Sequence, residues 1–279
     1  MDTRVMHERR LSGGCVGDVR LLKLERGPRV VAKLGDADAA LDVEARMLRL
    51  LQERSALPVP DVLIGEPDLL VMTHVEHDGR GGPSSDLDAA DHLAALHDIE
   101  PEHGERRYGL DFDARIGGLH QPNGWLDDWP HFYAERRLVP MAEAAHRAGG
   151  LDAATRRRVE GLGGRIHDLL GPGDACAPPG LVHGDVWSGN VLMHAGRVAA
   201  FIDPACYHAD PEIELAFVTL FSTFGKAFFE RYVRHRPIRE GFWDRRRPVY
   251  LLYPLLVHAR LFGGHYGASV GQTLDALPD

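Results

Sequence analysis

The densest group of residues able to do chemistry is His183-Gly184-Asp185-Val186-Trp187-Ser188-Gly189-Asn190, followed later by Ile202-Asp203-Pro204. Asn190 immediately precedes a short apolar run, Val191–Met193. Asp203 immediately follows a second, Val198–Ile202, with Ala195-Gly196 as a turn between them. Paired as an antiparallel hairpin, the two runs bring their outer ends side by side, so a carboxamide and a carboxylate converge on one point. Both offer hard oxygens, which suit Mg²⁺ held between protein and phosphates. Asp185, on the loop entering the same hairpin, is placed to face that point as a base. An aspartate that accepts a hydroxyl proton, with an asparagine and a second aspartate on metal, is the set that phosphoryl transfer needs. Taken singly these residues also cap turns; their spacing across a hairpin is what points to chemistry.

The upstream chain supplies what such a site still lacks. Ser12-Gly13-Gly14-Cys15-Val16-Gly17-Asp18 stands at a first hairpin, where Gly13 and Gly14 allow backbone N–H groups to approach phosphate oxygens. Lys33 interrupts the apolar run Val30-Val31-Ala32-Lys33-Leu34, a costly place for a cation unless it is paired. Only three of the 32 basic residues are lysines, so 29 are arginine and Lys33 is a marked choice. Glu44, on the border of the apolar face of the next helix, is its expected partner. A Lys–Glu pair of this kind positions the α- and β-phosphates in kinases; a snorkelling edge-strand lysine is the alternative. Cys15 lies within the glycine segment, where loop amides and cations lower a thiol's pKa, so it is a candidate redox-sensitive residue or a small apolar loop residue.

The elements that must position these groups fall into two sets. Residues 1–75 read as strands around one helix: Val19–Leu24 and Val30–Leu34 flank the turn Glu25-Arg26-Gly27-Pro28, and Leu69–Thr73 is a buried strand. Leu41, Ala45, Leu48 and Leu51 recur at helical spacing, which predicts a helix over Leu41–Glu53. Asp78–Ser85 is rich in Gly, Pro and Ser and marks the expected boundary between an N-terminal lobe, residues 1–76, and a C-terminal lobe, residues 77–279. Beyond it the pattern is helical over Asp86–His97, Trp129–Ala148, Asp152–Leu170, Pro211–Thr223 and Glu240–His258, interrupted by the loop Gly171–Gly180 and the hairpin. The expected fold class is α+β, a small strand-rich lobe followed by a larger helical one.

Composition narrows the function classes. With 279 residues the chain builds a full core without staples, and 41 acidic against 32 basic residues give a net charge of −9. That balance lacks the basic footprint of nucleic-acid binding. Three cysteines are too few, and odd in number, for a disulfide framework. No apolar run reaches the roughly 20 residues that cross a bilayer. A cytoplasmic, membrane-free protein is expected, with a monomer the simplest state for this size.

The order of parts resembles that of protein-kinase-like small-molecule kinases, with His183-Gly184-Asp185 where protein kinases have His-Arg-Asp. More narrowly the chain resembles the fructosamine kinases (ketosamine-3-kinases). The resemblance rests on SGGC at 12–15, LAALH at 93–97, Ile116-Gly117, Gln121-Pro122-Asn123, Trp125, Trp129 and Phe132. It continues through HGDVWSGN at 183–190, IDPACYHADPEIELA at 202–216 and YPLLVHARLFGGHY at 253–266. The tryptophan after HGD and the IDPA…PEI run separate this family from aminoglycoside-kinase relatives. The resemblance implies a two-lobed kinase fold using ATP and Mg²⁺, with Asp185 as catalytic base, Asn190 and Asp203 as metal ligands, and Lys33 with Glu44 on the phosphates. Gly13 and Gly14 would cover the phosphates. Met72-Thr73-His74-Val75 would be the hinge, with adenine bonded to the Thr73 carbonyl and the Val75 N–H. The acceptor would be a ketoamine, small or protein-linked, phosphorylated on the sugar 3-hydroxyl, an adduct that then decomposes in deglycation repair.

Trp187 offers an indole for the apolar face of a sugar, or else a core side chain, and His258 could line the acceptor cleft. Tryptophans 125 and 129 are expected to pack. The chain departs from the family in carrying Glu214 where an aspartate is usual and Val186 where leucine is usual, and in a short nucleotide loop. Two other functions fit the same parts: an aminoglycoside or other small-molecule kinase of the same fold, and a nucleotide-binding pseudokinase sensor. The second sits poorly with a complete set of Lys33, Glu44, Asp185, Asn190 and Asp203.

Overall fold

The computed structural model describes residues 3–11, 18–102 and 106–278. Five antiparallel strands open the chain in the order β1-β2-β3-β5-β4: β1 (Val5–Arg10), β2 (Asp18–Leu24), β3 (Arg29–Leu34), β4 (Val62–Glu66) and β5 (Leu69–Thr73). Register sets Val31 opposite Met72 and Lys33 opposite Leu70. With side chains alternating along a strand, these four residues share one face of the sheet. That face meets helix α1 (Leu41–Arg54), whose Leu41, Ala45, Leu48 and Leu51 are buried at the spacing the sequence shows. Lys33 is therefore on the apolar side of its strand because the pleat places it there, not at an edge.

The linker 74–82 leads to α2 (Pro83–His97). This helix begins three residues before the expected start: Pro83 suits a first turn, and Ser85 Oγ accepts from the Gly82 N–H at 2.8 Å. A small hairpin follows, β6 (Ala114–Ile116) with β7 (Leu119–Gln121), and then α3 (Trp129–Tyr133), α4 (Val139–Arg147), α5 (Ala153–Gly161) and α6 (Ile166–Leu170). The expected helix over 129–148 is widened into a π turn at Ala134–Leu138. Pro140 is the cause, because it has no N–H and its ring crowds the carbonyl four residues back. That carbonyl, of Arg136, accepts from the Arg137 guanidinium at 2.9 Å instead. The expected helix over 152–170 is divided where Gly161, Gly163 and Gly164 weaken it.

The chain closes with β8 (Gly180–Val182), β9 (Val191–His194), β10 (Arg197–Phe201), β11 (Tyr207–Ala209), α7 (Glu212–Leu220), α8 (Lys226–His235), α9 (Arg247–Phe262) and α10 (His265–Asp275). One continuous apolar core runs through α2–α10. At its centre Trp129 is fully buried and donates Nε1–H to the Tyr250 hydroxyl at 2.9 Å, so it packs as expected. Pro254 inside α9 removes a donor for the Tyr250 carbonyl, and the Tyr133 hydroxyl donates there at 3.2 Å. Among the described residues no helix is long and apolar enough to cross a membrane.

Candidate active site

The β9–β10 hairpin does what its sequence spacing requires. Val191 pairs with Phe201, and the Ile202 N–H donates to the Asn190 carbonyl at 3.0 Å, so Asn190 and Asp203 leave the hairpin side by side. Its turn has positive φ at both Ala195 (50°) and Gly196 (77°), the twist-matched hairpin geometry. Asn190 Nδ2 donates to Asp185 Oδ2 at 2.8 Å and to the Asp185 carbonyl at 3.0 Å. This fixes the amide orientation and turns Asn190 Oδ1 away from Asp185, without a partner among the described residues. Burial pushes the Asp185 carboxyl up to about 8, the facing Asp203 charge adds to the rise, and the Asn190 hydrogen bond opposes it.

Asp203 has φ 55°, a left-handed conformation that a non-glycine residue adopts rarely and at some cost. Its Oδ1 accepts from Lys33 Nζ at 2.6 Å, and Lys33 Nζ also donates to Glu44 Oε1 at 2.7 Å. The anticipated Lys–Glu pair is thus a triad. Burial disfavours the Lys33 cation, but the Glu44 and Asp203 carboxylates outweigh it and hold the ammonium charged.

The loop carrying Asp185 is braced from below. Gly184 sits at φ 86°, and a Cβ there would lie 2.2 Å from the Ala205 carbonyl oxygen, so only glycine fits. Glu214 of α7, fully buried, accepts from the Gly184 N–H at 2.6 Å and the His183 N–H at 3.2 Å, and pairs with His97 Nε2 at 2.9 Å. Burial alone would raise its pKa, but the His97 hydrogen bond and charge reverse this and hold it below the usual range. The carboxylate at this position, where the resemblance leads to an expected aspartate, reaches the loop and bonds both of its N–H groups. His97, whose Nδ1 lies 2.7 Å from the Tyr232 hydroxyl, joins this brace from the end of α2. Residue spacing gave no sign of it, because α2, α7 and the loop meet only in three dimensions.

A cleft of about 380 Å³ joins these groups. Lys33, Glu44, Asp185, Asn190 and Asp203 line it at one end, and Met72, Thr73 and Val75 line it at the other. Thr73 Oγ1 accepts from the Asp61 N–H at 2.9 Å, and the Val75 N–H has no partner among the described residues. Trp187 also lines the cleft. At 36% exposed it is no core residue, and its ring lies where a Cβ on Gly189 would come within 2.3 Å. His258 does not reach the cleft wall: its ring lies 5.0 Å from Phe221, which stands 6.4 Å from Trp187. Its Nδ1 is held by the Pro254 carbonyl at 2.7 Å, and burial lowers its pKa. Gly13, Gly14 and Cys15 lie outside the described residues.

The donor set fits a hard cation. Asn190 Oδ1 and Asp203 Oδ2, from the two ends of one hairpin, are oxygens that no group among the described residues claims, and both belong to residues lining the cleft. Two such ligands leave several positions for phosphate oxygens and water, as Mg²⁺ prefers.

A family profile described as fructosamine kinase matches residues 1–278. The chain belongs to the fructosamine kinase family. A probable ketoamine kinase of Synechocystis is 33% identical over 97% of this chain and 90% of its own length. A chloroplastic protein-ribulosamine 3-kinase of Oryza sativa subsp. indica is 29% identical over 98% of this chain and 79% of its own length. The crystal structure of a protein provisionally assigned as a fructosamine-3-kinase from Thermobifida fusca superposes with a TM-score of 0.85 at 30% identity, covering 98% of this chain and 93% of that one. An aminoglycoside phosphotransferase at 17% identity and a TM-score of 0.66 shares the fold. The kinase therefore has the two-part kinase-like architecture, an N-terminal antiparallel sheet and a larger helical part. It is an ATP-dependent phosphotransferase of the ketosamine-3-kinase type.

Proposed function

We propose that this kinase transfers the γ-phosphoryl group of Mg-ATP to the sugar 3-hydroxyl of a ketoamine, with Asp185 as the catalytic base. The observation that carries this reading is the convergence of Asp185, Asn190, Asp203 and the Lys33–Glu44 pair at one end of a single cleft. The acceptor hydroxyl lies against Asp185, which takes the proton as the new O–P bond forms and the bond to ADP breaks. Asn190 holds the Asp185 carboxylate through Nδ2 and presents Oδ1 to the metal, and Asp203 presents its second oxygen there. Mg²⁺, when bound, neutralises charge on the phosphate oxygens. Lys33 orients the α- and β-phosphates, and Glu44 keeps the lysine extended across the sheet face. The Thr73 carbonyl and Val75 N–H take the adenine edge, and Gly13 and Gly14 approach the phosphates. Trp187 carries the apolar face of the sugar, with His258 behind it through Phe221. Catalysis is then positioning and electrostatics.

The acceptor is a free or protein-linked ketoamine in the cytoplasm, met by a monomer divided near residues 76 and 77. The test is ADP release with Mg-ATP on ribulosyl-lysine, fructosyl-lysine and kanamycin, with ³¹P NMR of the products. A new sugar phosphate on a ketoamine is expected. Transfer to kanamycin alone would overturn the acceptor, and ATP binding with no transfer to any of the three would favour a sensor.

A further inference from the structure

Arg115 and Arg9 are the arginines lining the cleft that the catalytic set above leaves unused; Arg9 stands on the exposed strand β1, and Arg115 on the hairpin tied to the Asp203 segment. Arg115 stands on β6 and lines the same cleft as Lys33, Asp185 and Asp203. Its NH1 donates to the Gly118 carbonyl at 2.7 Å across the tight β6–β7 turn, where Gly117 and Gly118 have φ 52° and 80°. It makes no ion pair among the described residues, so its remaining N–H donors have no carboxylate to satisfy them. The hairpin bearing it is locked to the catalytic end of the cleft. Gln121 Nε2 donates to the Ala205 carbonyl, two residues beyond Asp203, at 3.0 Å, and Gln121 Oε1 accepts from the Tyr253 hydroxyl at 2.8 Å. On its other side β6 packs on α1, the helix that carries Glu44.

The charge arithmetic of the cleft calls for such a residue. Lys33 is shared between two carboxylates at 2.6 and 2.7 Å, and Asp185 adds a third carboxylate at the same end. A triphosphate brought there with Mg²⁺ meets a lysine already shared between two carboxylates, so the metal and the cleft arginines are left to meet the phosphate charge. A planar guanidinium with free parallel donors is suited to phosphate oxygens, and it stabilises phosphoryl transfer most when it is fixed before the reaction begins.

We propose that Arg115 is a catalytic residue that binds the oxygens of the phosphoryl group in flight, as the acceptor oxygen bonds to the γ-phosphorus, the bridging bond to ADP breaks and the hydroxyl proton passes to Asp185. The assignment rests on the kinase reading above but is indifferent to the identity of the acceptor. An arginine in this place also offers a site for a carboxylate on the acceptor, and the test separates the two.

Arg115→Met and Arg115→Lys are compared with wild type in the full chain, with thermal midpoints measured to confirm folding. Binding of Mg-ADP, and of Mg-ADP with fluoroaluminate as a mimic of the transferring phosphoryl group, is followed by calorimetry without any acceptor. Arg115→Met is expected to bind the fluoroaluminate complex about 100-fold more weakly, with Mg-ADP affinity within about twofold and kcat falling in parallel. Arg115→Lys recovers part of the loss, and added guanidinium restores part of the Met variant's kcat. Fluoroaluminate binding changed by less than about threefold in both folded variants would overturn the proposal. So would a rise in KM confined to ketoamines that carry a carboxylate, which would assign Arg115 to the acceptor. Because the mimic needs no acceptor, a wrong ketoamine assignment would leave this result standing.

Discussion

The two parts of the molecule are held together in different ways. In the N-terminal sheet all six residues of β1 are exposed, and the apolar contacts between sheet and α1 centre on five buried residues, Leu41, Ala45, Leu48, Leu70 and Met72. The helical part has one continuous core with Trp129, Phe132, Tyr133 and Tyr250 inside it. It also holds a buried ionic cluster in which Arg239 and Arg246 bond Glu212, and Arg239 also bonds Asp210. Asp185, Asn190 and Asp203 are supplied by the heavily packed side, and Lys33 and the cleft-lining Met72, Thr73 and Val75 by the thin one. Regions with few buried contacts open at lower free energy, which suits the part that must admit and release a nucleotide. Across the cleft the Lys33–Asp203 ion pair joins the two, and it uses the carboxylate that is also the proposed metal ligand. Nucleotide binding therefore redistributes one of the contacts between the halves, while Met47 and Leu51 of α1 stay packed in the larger core.

The sharpest way to break this comparison is to remove one group from each side. Asp185→Asn is expected to lower kcat by about 1,000-fold or more while nucleotide affinity stays within about twofold, measured by turnover and calorimetry. Lys33→Met is expected to lower kcat by about 100-fold and to weaken ATP binding as well, because Glu44 and Asp203 then face the phosphates unneutralised. Equal effects on nucleotide affinity would contradict the division of labour.

Packing gives the next contrast. Leu252→Ala, in the fully buried centre of α9, should cost about 3–5 kcal/mol in the main unfolding transition. Leu48→Ala, in the small sheet core, should cost about 2–3 kcal/mol and reduce ATP affinity below the melting range, since the thin region yields first. Chemical denaturation followed by tryptophan fluorescence and by nucleotide binding would reveal coincident transitions if the two cores respond as one.

The smallest effect is one of pH, and it belongs to the helical part. Burial, with a lesser contribution from Arg54, lowers the His208 pKa to about 4 from the usual 6.5 of a histidine. Between those values the unfolded chain binds the proton and the folded chain does not, so stability is complete above pH 6.5 and falls as the pH drops towards 4. The loss reaches about 3 kcal/mol at most, at the lower end of that range. His208→Gln should flatten the slope of thermal midpoint against pH between 6.5 and 4.5; an unchanged slope would assign it to other groups.

Much of this was legible beforehand, for reasons that differ by element. Helix α1 and the β9–β10 hairpin are local patterns in which apolar periodicity and a two-residue turn act over a few residues. The strands β1, β4, β6, β7, β8 and β11 are not marked one by one in the sequence, because β1 shows no apolar alternation and runs of three to five residues carry little periodic signal and pair with distant partners. Helices α8 and α10 likewise lie outside the helical patterns the sequence displays. The positions of Pro140 and Gly161–Gly164 were visible, but their consequences, a widened turn and a divided helix, depend on what the freed backbone groups find nearby.

By itself the sequence determined the chemical inventory: a lysine where only a paired cation is tolerable, a base five residues before an asparagine, and a second carboxylate at the far end of the same hairpin. It also determined the family, because those residues keep their order along the chain. The tertiary structure alone decided that Lys33 serves two carboxylates rather than one and that Glu214 reaches the catalytic loop with His97 behind it. It also decided that Arg115 stands in the cleft without a carboxylate partner among the described residues. The new contacts join distant residues, Lys33 with Asp203 170 positions apart and Glu214 with Gly184 30 apart. No local pattern encodes such a meeting; it follows from how the sheet, the helices and the hairpin bury their apolar faces against one another.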